Sequence, residues 1–296
     1  MREFSTDFAN HIASGATTLC NCWLIERTDS AKLGFTDHDE ALVFGGQIYE
    51  PAHGLDGSET IAKLGAQVDT SEVAGLLHSS AISEDDIVLG RYDGARVTTF
   101  RVNWRDVSVR ATTRVDTIGE ITREDGYFRA ELRSQLQALN IAKGRRYQSI
   151  CDAVIGEARC GVDLEDAAFK TSATVSAVVD RFSVHVSGAN GFASGWFAHG
   201  KALWLSGKRL DLADPVVGHA KDSGTVSLSF GGPVGDWVSI GDQMTLYAGC
   251  DRRFSTCADK FSNALNFQGF PHIPGSDFIL TVPKPSDALD GGALIG

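Results

Sequence analysis

Apolar residues recur at every second position along much of this chain, in short segments separated by turns. Such alternation predicts β-strands with one buried face. Two short helices interrupt the pattern in the first half: one is capped by Ser5, Thr6 or Asp7 and ends at Gly15, and the other begins with a capping box at Ser83. The predicted strands of this half, mainly antiparallel, are 17–27, 32–36, 41–44, 47–50, 95–104, 107–118 and 127–132.

A second β-rich region is predicted after a polar, basic break at residues 143–147. Gly-containing turns separate its short segments, which fits a small barrel or sandwich. The helical period then returns, since Phe254, Cys257 and Phe261 share one helical face. The predicted strands of this half are 173–179, 183–186, 195–205, 225–230 and 244–247.

The predicted fold class is therefore mainly β with short helices, a β-rich α+β chain of two small antiparallel β domains joined at a cysteine-ligated cluster. A length of 296 residues agrees with more than one domain. The predicted segments are an N-terminal β-rich domain (1–142), a junction with the first cysteine pair (143–170), the small barrel or sandwich (171–248), and the second cysteine pair with a helix and tail (249–296).

Composition and charge exclude several classes of function. Apolar residues make up 43 % and charged residues 22 %, as in globular proteins. The net charge of -11 disfavours direct binding of nucleic acid. No apolar run approaches the roughly 20 residues of a membrane span, and the acidic N-terminus is unlike a signal peptide, so we expect synthesis in the cytoplasm. In that compartment, six cysteines are not expected to form a disulfide framework.

Four of the cysteines form two pairs at the two ends of the second β region. Eight residues separate Cys151 from Cys160, and six separate Cys250 from Cys257. A soft metal centre needs four converging thiolates, and two loops can supply two each. This spacing is looser than the Cys-x-x-Cys typical of zinc and favours iron-sulfur, while zinc and unligated buried thiols stay open as alternatives. We expect such a site to join the start of the domain to its end.

Both loops contain residues that suit a metal site. Gly161 and Gly249 flank cysteines at positions where a backbone needs positive φ or close approach. Arg159, Arg252 and Arg253 place positive charge near the thiols.

The remaining two cysteines, Cys20 and Cys22, alternate on one face of a predicted strand and are expected to pack in the core. A cysteine peptidase that used either thiol with His38 is the enzymatic alternative. A nucleophilic cysteine usually lies at a helix N-terminus rather than in a strand, so no enzymatic activity is predicted.

Carbohydrate binding by the second β region is a further alternative, because exposed aromatic rings stack on sugars. The alternation of Trp196, Phe197 and Trp204 suits a barrel interior equally well, and core packing is the prediction. Three histidines that are isolated in sequence are predicted to be structural: His199, His219 and His272.

Several motifs resemble one known family. They include Leu19-Cys20-Asn21-Cys22-Trp23, Gly34-Phe35-Thr36-Asp37-His38-Asp39, Gly90-Arg91-Tyr92-Asp93-Gly94-Ala95, and Gly249-Cys250-Asp251 with Asn266-Phe267 and Gly269-Phe270-Pro271. With the first cysteine pair, these look like the baseplate hub protein of gene transfer agents and related tailed phages. The cysteine pattern is also similar to that of the lambda-type tail tip protein L.

The resemblance implies a structural role without turnover. It implies a [4Fe-4S] cluster held by Cys151, Cys160, Cys250 and Cys257. It also implies a homo-oligomeric ring, expected to be a trimer and assembled through the N-terminal domain. That ring would connect the distal tail protein ring to the more distal fibre, central tail tip or cell-wall-penetrating proteins. The expected location is the tail baseplate of a virion or virus-like particle, assembled in the bacterial cytoplasm.

Overall fold

A computed structural model describes residues 4–51, 55–57, 70–75, 82–124, 127–134 and 144–273. The chain divides into two units, Met1–Lys143 (the N-terminal unit) and Gly144–Gly296 (the barrel unit). Strands dominate both units and the described helices are short, so the predicted mainly-β fold class is confirmed.

The N-terminal unit opens with helix α1 (Thr6–Ala13). As predicted, the helix is capped at Ser5, whose hydroxyl accepts a hydrogen bond from the backbone N–H of Phe8. Phe8 is buried, whereas Phe4 and Ile12 are each nearly half exposed. Helix α2 (Glu84–Val88) is likewise capped by Ser83, which confirms that prediction.

Nine strands form one sheet in the N-terminal unit, in the order β3-β4-β2-β1-β7-β8-β9-β6-β5. Neighbouring strands are antiparallel except for β2 and β4, which pair in parallel. The strands are β1 (Leu19–Glu26), β2 (Lys32–Thr36), β3 (Leu42–Phe44), β4 (Gln47–Pro51), β5 (Leu55–Gly57), β6 (Thr70–Gly75), β7 (Arg96–Asn103), β8 (Arg110–Glu124) and β9 (Tyr127–Ser134).

Strand β1 contributes to two hydrophobic clusters, because alternate side chains of a strand point to opposite faces. Trp23 packs with Phe35 and Tyr92 in one cluster. Cys20 and Cys22 lie in the other, which also contains the stacked rings of Phe44 and Tyr49. The prediction that Cys20 and Cys22 pack in the core is confirmed.

The barrel unit contains a closed six-stranded barrel in the order β10-β11-β14-β13-β12-β15. A short helix, α3 (Phe254–Asp259), follows the last strand. The barrel strands are β10 (Lys170–Val178), β11 (Ser183–Ser187), β12 (Gly200–Trp204), β13 (Ala213–Asp222), β14 (Thr225–Phe230) and β15 (Gln243–Tyr247).

Two details of the barrel differ from the sequence prediction. The predicted strand 195–205 begins only at Gly200, because residues 195–199 form turns closed by backbone hydrogen bonds. Strand β13 was not predicted, because Pro215 and Gly218 interrupt its alternation, and the register shifts between Val216 and Gly218. A β-bulge of this kind conceals a strand from a period-two pattern.

The barrel interior is filled by apolar side chains. Phe197 and Trp204 have no exposed surface, so the predicted core packing of these two rings is confirmed. The indole N–H of Trp204 donates to Asp214, which also accepts two hydrogen bonds from Arg209. Both carboxylate oxygens of Asp214 are therefore hydrogen-bonded, as expected for a polar group with little exposure.

Candidate functional site

Barrel closure brings the two cysteine pairs to the same end of the barrel. Strands β10 and β15 pair antiparallel, with Lys170 opposite Tyr247. One step further along, the N–H of Ala248 donates to the carbonyl of Phe169 at 2.7 Å. Residues 151–160 precede β10 and residues 250–257 follow β15, so both loops start from this strand end.

The chain after β15 passes very close to another part of the backbone. A Cβ atom on Gly249 would lie 1.8 Å from the carbonyl oxygen of Ala198, so no larger residue fits without a backbone shift. The predicted close approach at Gly249 is confirmed, as is the positive φ of Gly161 (71°).

Arg252 connects the two loops through its backbone. Its φ of 64° lies in the left-handed region, which is uncommon for a residue with a side chain. In this conformation its N–H points at the Cys250 sulfur, 3.4 Å from the nitrogen, and its carbonyl accepts a 2.9 Å hydrogen bond from the N–H of Cys151. This strained backbone conformation thus allows Arg252 to contact one cysteine of each pair.

Asn263, four residues after the end of α3, makes a second connection. Its side-chain amide donates to the carbonyl of Cys160 at 2.6 Å. Its own carbonyl accepts a 3.3 Å hydrogen bond from the thiol of Cys257. Arg252 thus joins Cys250 to Cys151, and Asn263 joins Cys160 to Cys257. We call these four residues the four-cysteine site.

Charges on the first loop are paired close to the thiols. Asp152 accepts hydrogen bonds from Arg145 and Arg159, and these two guanidinium groups lower the pKa of its carboxyl. Arg253 lies 3.8 Å from Asp251 on the second loop. Arg159 and Arg253, two of the arginines predicted to place positive charge near the thiols, are thus paired with carboxylates.

The thiols interact electrostatically across the site. Burial, together with smaller contributions from negative charge on Cys250, Cys151 and Cys160, raises the pKa of Cys257 to about 11. Burial likewise raises the pKa of Cys250, with contributions from Asp251, Cys151 and Cys160. Negative charges on neighbouring thiolates repel one another, so a bound cationic group would stabilise them.

The donor set consists of sulfur, which is the preferred ligand of zinc and of iron-sulfur clusters. All six cysteines of the chain are free thiols. Across the described ranges, no group of three or more His, Cys, Asp or Glu side chains is arranged to hold a metal ion. Sulfur donors fit a soft metal group by their chemistry, but the side chains of the described residues are not arranged as metal ligands. Metal binding at the four-cysteine site stays a prediction.

The elements of the alternative peptidase site are also visible. Cys20 is 6 % exposed and Cys22 is completely buried. A hydrogen bond from Cys22 lowers the pKa of Cys20 to about 7. The same hydrogen bond, together with burial, raises the pKa of Cys22. The ring of His38 lies tilted against that of Trp104, with centroids 5.0 Å apart, and accepts a hydrogen bond from the N–H of Glu40. Both cysteines lie among the buried residues of the same hydrophobic cluster.

Beside the four-cysteine site lies an open cleft of about 360 Å³, lined by Trp196, His199, Asp251 and Lys260 among others. Lys260 donates to the carbonyls of Trp196 and Gly249 and lies over the rings of Trp196 and Phe261. Sequence reasoning did not assign a role to Lys260 or Asn263, since neither stands in a recognisable spacing with the cysteines.

The predicted structural histidines differ in their surroundings. His219 is buried and accepts a long hydrogen bond from the N–H of Phe197, while its Nε2 has no hydrogen-bond partner. Burial and the charges of Lys260 and Lys221 lower its pKa. His199 is exposed at the rim of the cleft, with a φ of 63°.

Comparisons with known proteins agree on one biological setting. Residues 5–163 match the family described as "Baseplate hub protein, N-terminal attachment domain". Residues 195–277 match the family "Phage conserved hypothetical protein BR0599". A chain in the solved structure of the virion of a native gene transfer agent particle is 37 % identical, with a TM-score of 0.89, covering 98 % of this chain and all of the other. No curated protein sequence matches.

This chain is therefore a structural protein of a phage-like tail. Within that class it belongs to the baseplate hub family, because one family model covers more than half of its length and a virion chain matches nearly all of it. Its location is a virion tail baseplate. Among the residues described, no helix is long and apolar enough to cross a membrane.

Proposed function

We propose that this chain is the hub that links the distal tail ring to the more distal fibre or penetration proteins, without catalytic turnover. The observation that carries the proposal is the whole-chain match to a gene transfer agent virion protein, together with the attachment-domain match over residues 5–163. In this role the chain forms a homo-oligomeric ring, for which a trimer is the expected number.

An exposed hairpin is the attachment element that we assign to the N-terminal unit. Val43 of β3 and Ile48 of β4 are directly paired across the hairpin. Both are more than half exposed, at 60 % and 53 %. Cross-strand apolar pairs gain free energy when they are covered, so this pair favours contact with the distal tail ring.

Assembled particles test this attachment. Val43→Asp with Ile48→Asp should yield particles whose purified tails lack this chain, as measured by mass spectrometry and electron microscopy. Val88→Asp is the matched control, because Val88 is 61 % exposed but lies on helix α2. Tails that retain the hairpin variant at the level of the control would refute the attachment.

The four-cysteine site is the second part of the proposal, and we assign it a [4Fe-4S] cluster, with zinc as the alternative. The support is a set of four sulfur donors on two loops that share one strand end. When bound, such a group supplies metal–thiolate bonds between the loops. The chain itself orients the sulfurs, through the N–H of Arg252 towards Cys250 and through Asn263 beside Cys160 and Cys257.

The metal content of the full chain tests this assignment. Anaerobically purified protein should be brown and contain iron and acid-labile sulfide, whereas colourless protein with one zinc per chain would replace the cluster by zinc. Protein with neither would defeat the assignment.

Removal of the metal should affect the loops rather than the barrel. Hydrogen exchange should accelerate in residues 144–169 and 249–273, because these segments have few strand hydrogen bonds of their own. The β10–β15 ladder should keep its protection, since its backbone pairing does not depend on the thiols. Loss of protection throughout the barrel would contradict this division of roles.

A further inference from the structure

We infer that Asn263 is a positioning residue for the four-cysteine site, and that its amide holds Cys160 in place against the segment that carries Cys257. The inference rests on the proposed role of the four cysteines. The amide nitrogen of Asn263 lies 2.6 Å from the carbonyl oxygen of Cys160 and 3.9 Å from the sulfur of the same residue. The backbone N–H of Asn263 donates to the carbonyl of Cys257 at 2.9 Å, and the thiol of Cys257 donates to the carbonyl of Asn263 at 3.3 Å.

A neighbouring amide fixes which way the Asn263 side chain points. The side-chain nitrogen of Asn266 donates to the Oδ1 of Asn263 at 2.7 Å. A flipped Asn263 amide would place two NH₂ groups against each other and its oxygen against the Cys160 carbonyl. The donor end must therefore face Cys160, so its two N–H groups serve the carbonyl and the sulfur.

The backbone at this position does not itself require asparagine. Asn263 has φ -120° and ψ 28°, outside the left-handed region that asparagine often occupies. The side-chain amide is thus the reason for an asparagine here. An N–H directed at a ligand sulfur stabilises negative charge on it and orients it, which is how groups around a metal site tune the site.

Alkylation of the metal-free, reduced full chain tests the positioning role. Asn263→Leu keeps the volume and removes the donor, and Asn263→Asp keeps the acceptor for Asn266 but puts an oxygen against Cys160. At a pH at which the thiol is fully ionised in every protein compared, both should raise the rate of iodoacetamide alkylation at Cys160 about five-fold, because the loss of one hydrogen bond lets the loop open more often. Asn190→Leu, at an exposed barrel position, is the matched control. A Cys160 rate equal to the control's would overturn the inference.

A milder variant covers the case in which both substitutions unfold the loops. Asn266→Ala releases the orientation of the Asn263 amide without touching its contact to Cys160. It should give a rate at Cys160 between those of wild type and Asn263→Leu. An unchanged rate in this variant would show that the amide's orientation does not matter, against the inference.

A second readout uses protein that contains iron and sulfide. The reduction midpoint should become more negative in Asn263→Leu, because a hydrogen bond to a ligand sulfur favours the more negatively charged reduced state. It should fall further in Asn263→Asp, which adds a carboxylate. Identical midpoints would overturn the role at the sulfur. If the wild-type protein holds no iron, the cluster assignment fails, and the alkylation rates still decide the role of Asn263.

Discussion

Lys260 gives the sharpest quantitative prediction for the barrel unit. Its ammonium group donates to the carbonyls of Trp196 and Gly249, at 2.5 and 2.7 Å, and lies over two aromatic rings. Lys260→Met keeps most of the side-chain volume but removes both donors. The variant leaves two carbonyls beside the four-cysteine site without these partners.

The magnitude follows from two opposing effects. Hydrogen bonds from a charged donor contribute about 1.5–3 kcal/mol each, and at pH 7 the cost of burying the ammonium group offsets most of this. We therefore expect Lys260→Met to change the free energy of unfolding little at pH 7 and to lower it by about 1–3 kcal/mol at pH 10.5.

The difference should depend on pH in a defined direction. Burial lowers the pKa of Lys260 from 10.5 to about 8, against the charges of Cys250 and Asp251, which act to raise it. Between these two pH values the unfolded chain binds more protons at this residue than the folded chain does, so its contribution to stability rises with pH. Lowering a pKa by one corresponds to about 1.4 kcal/mol. After a discount for partial exposure, the free energy of unfolding of wild type should rise by about 1–3 kcal/mol relative to that of the variant between pH 7 and pH 10.5.

Urea unfolding of both proteins from pH 7 to pH 10.5, with reductant present, measures this difference directly. Other titrating groups, including Cys257, are common to both proteins and cancel in the comparison. Lys221→Met is the matched control, because Lys221 makes a single contact to the carbonyl of Asn190 on an exposed surface. A difference between wild type and Lys260→Met that does not change with pH would refute the argument from burial.

Two further substitutions test the surroundings of the site and the barrel core. Gly249→Ala should destabilise the barrel unit by about 3 kcal/mol or more, because its Cβ would overlap a backbone carbonyl; Gly191→Ala, with open space around its Cβ, should be nearly neutral by thermal unfolding. Asp214→Asn should cost about 2–4 kcal/mol, because it weakens the buried pairing with Arg209 and the Trp204 indole. Tryptophan fluorescence during unfolding would report this loss, and an unchanged midpoint would contradict it.

The strand pattern could be predicted from the sequence wherever one face of a strand is buried. β1 and β14 alternate clearly and were found at nearly their observed bounds. The pattern failed at β13, where a bulge and a proline break the alternation, and before Gly200, where apolar residues of a turn resemble a strand. Barrel closure by β10 and β15 could not be predicted, because it depends on contacts between residues far apart in sequence.

The candidate site was predictable only at its cysteines and glycines. Gly161 and Gly249 were identified because a glycine beside a cysteine indicates a positive φ or a close approach of the backbone. Asn263 and Lys260 carry no such signal, since polar residues on a short helical segment are usually solvated. Their partners are backbone carbonyls of Cys160, Trp196 and Gly249, and backbone groups are equally present at every position of a sequence.

The position of the four-cysteine site changes what a metal there would accomplish. The sequence suggested that it would hold together the start and the end of the barrel, about 90 residues apart. The backbone pairing of β10 with β15 already joins those ends. Among the described residues, the segments outside the barrel share a small core around Val162, Ala248 and Phe261. Because so little apolar surface is buried there, metal bonds between the loops would chiefly order these segments and leave the barrel to its own packing.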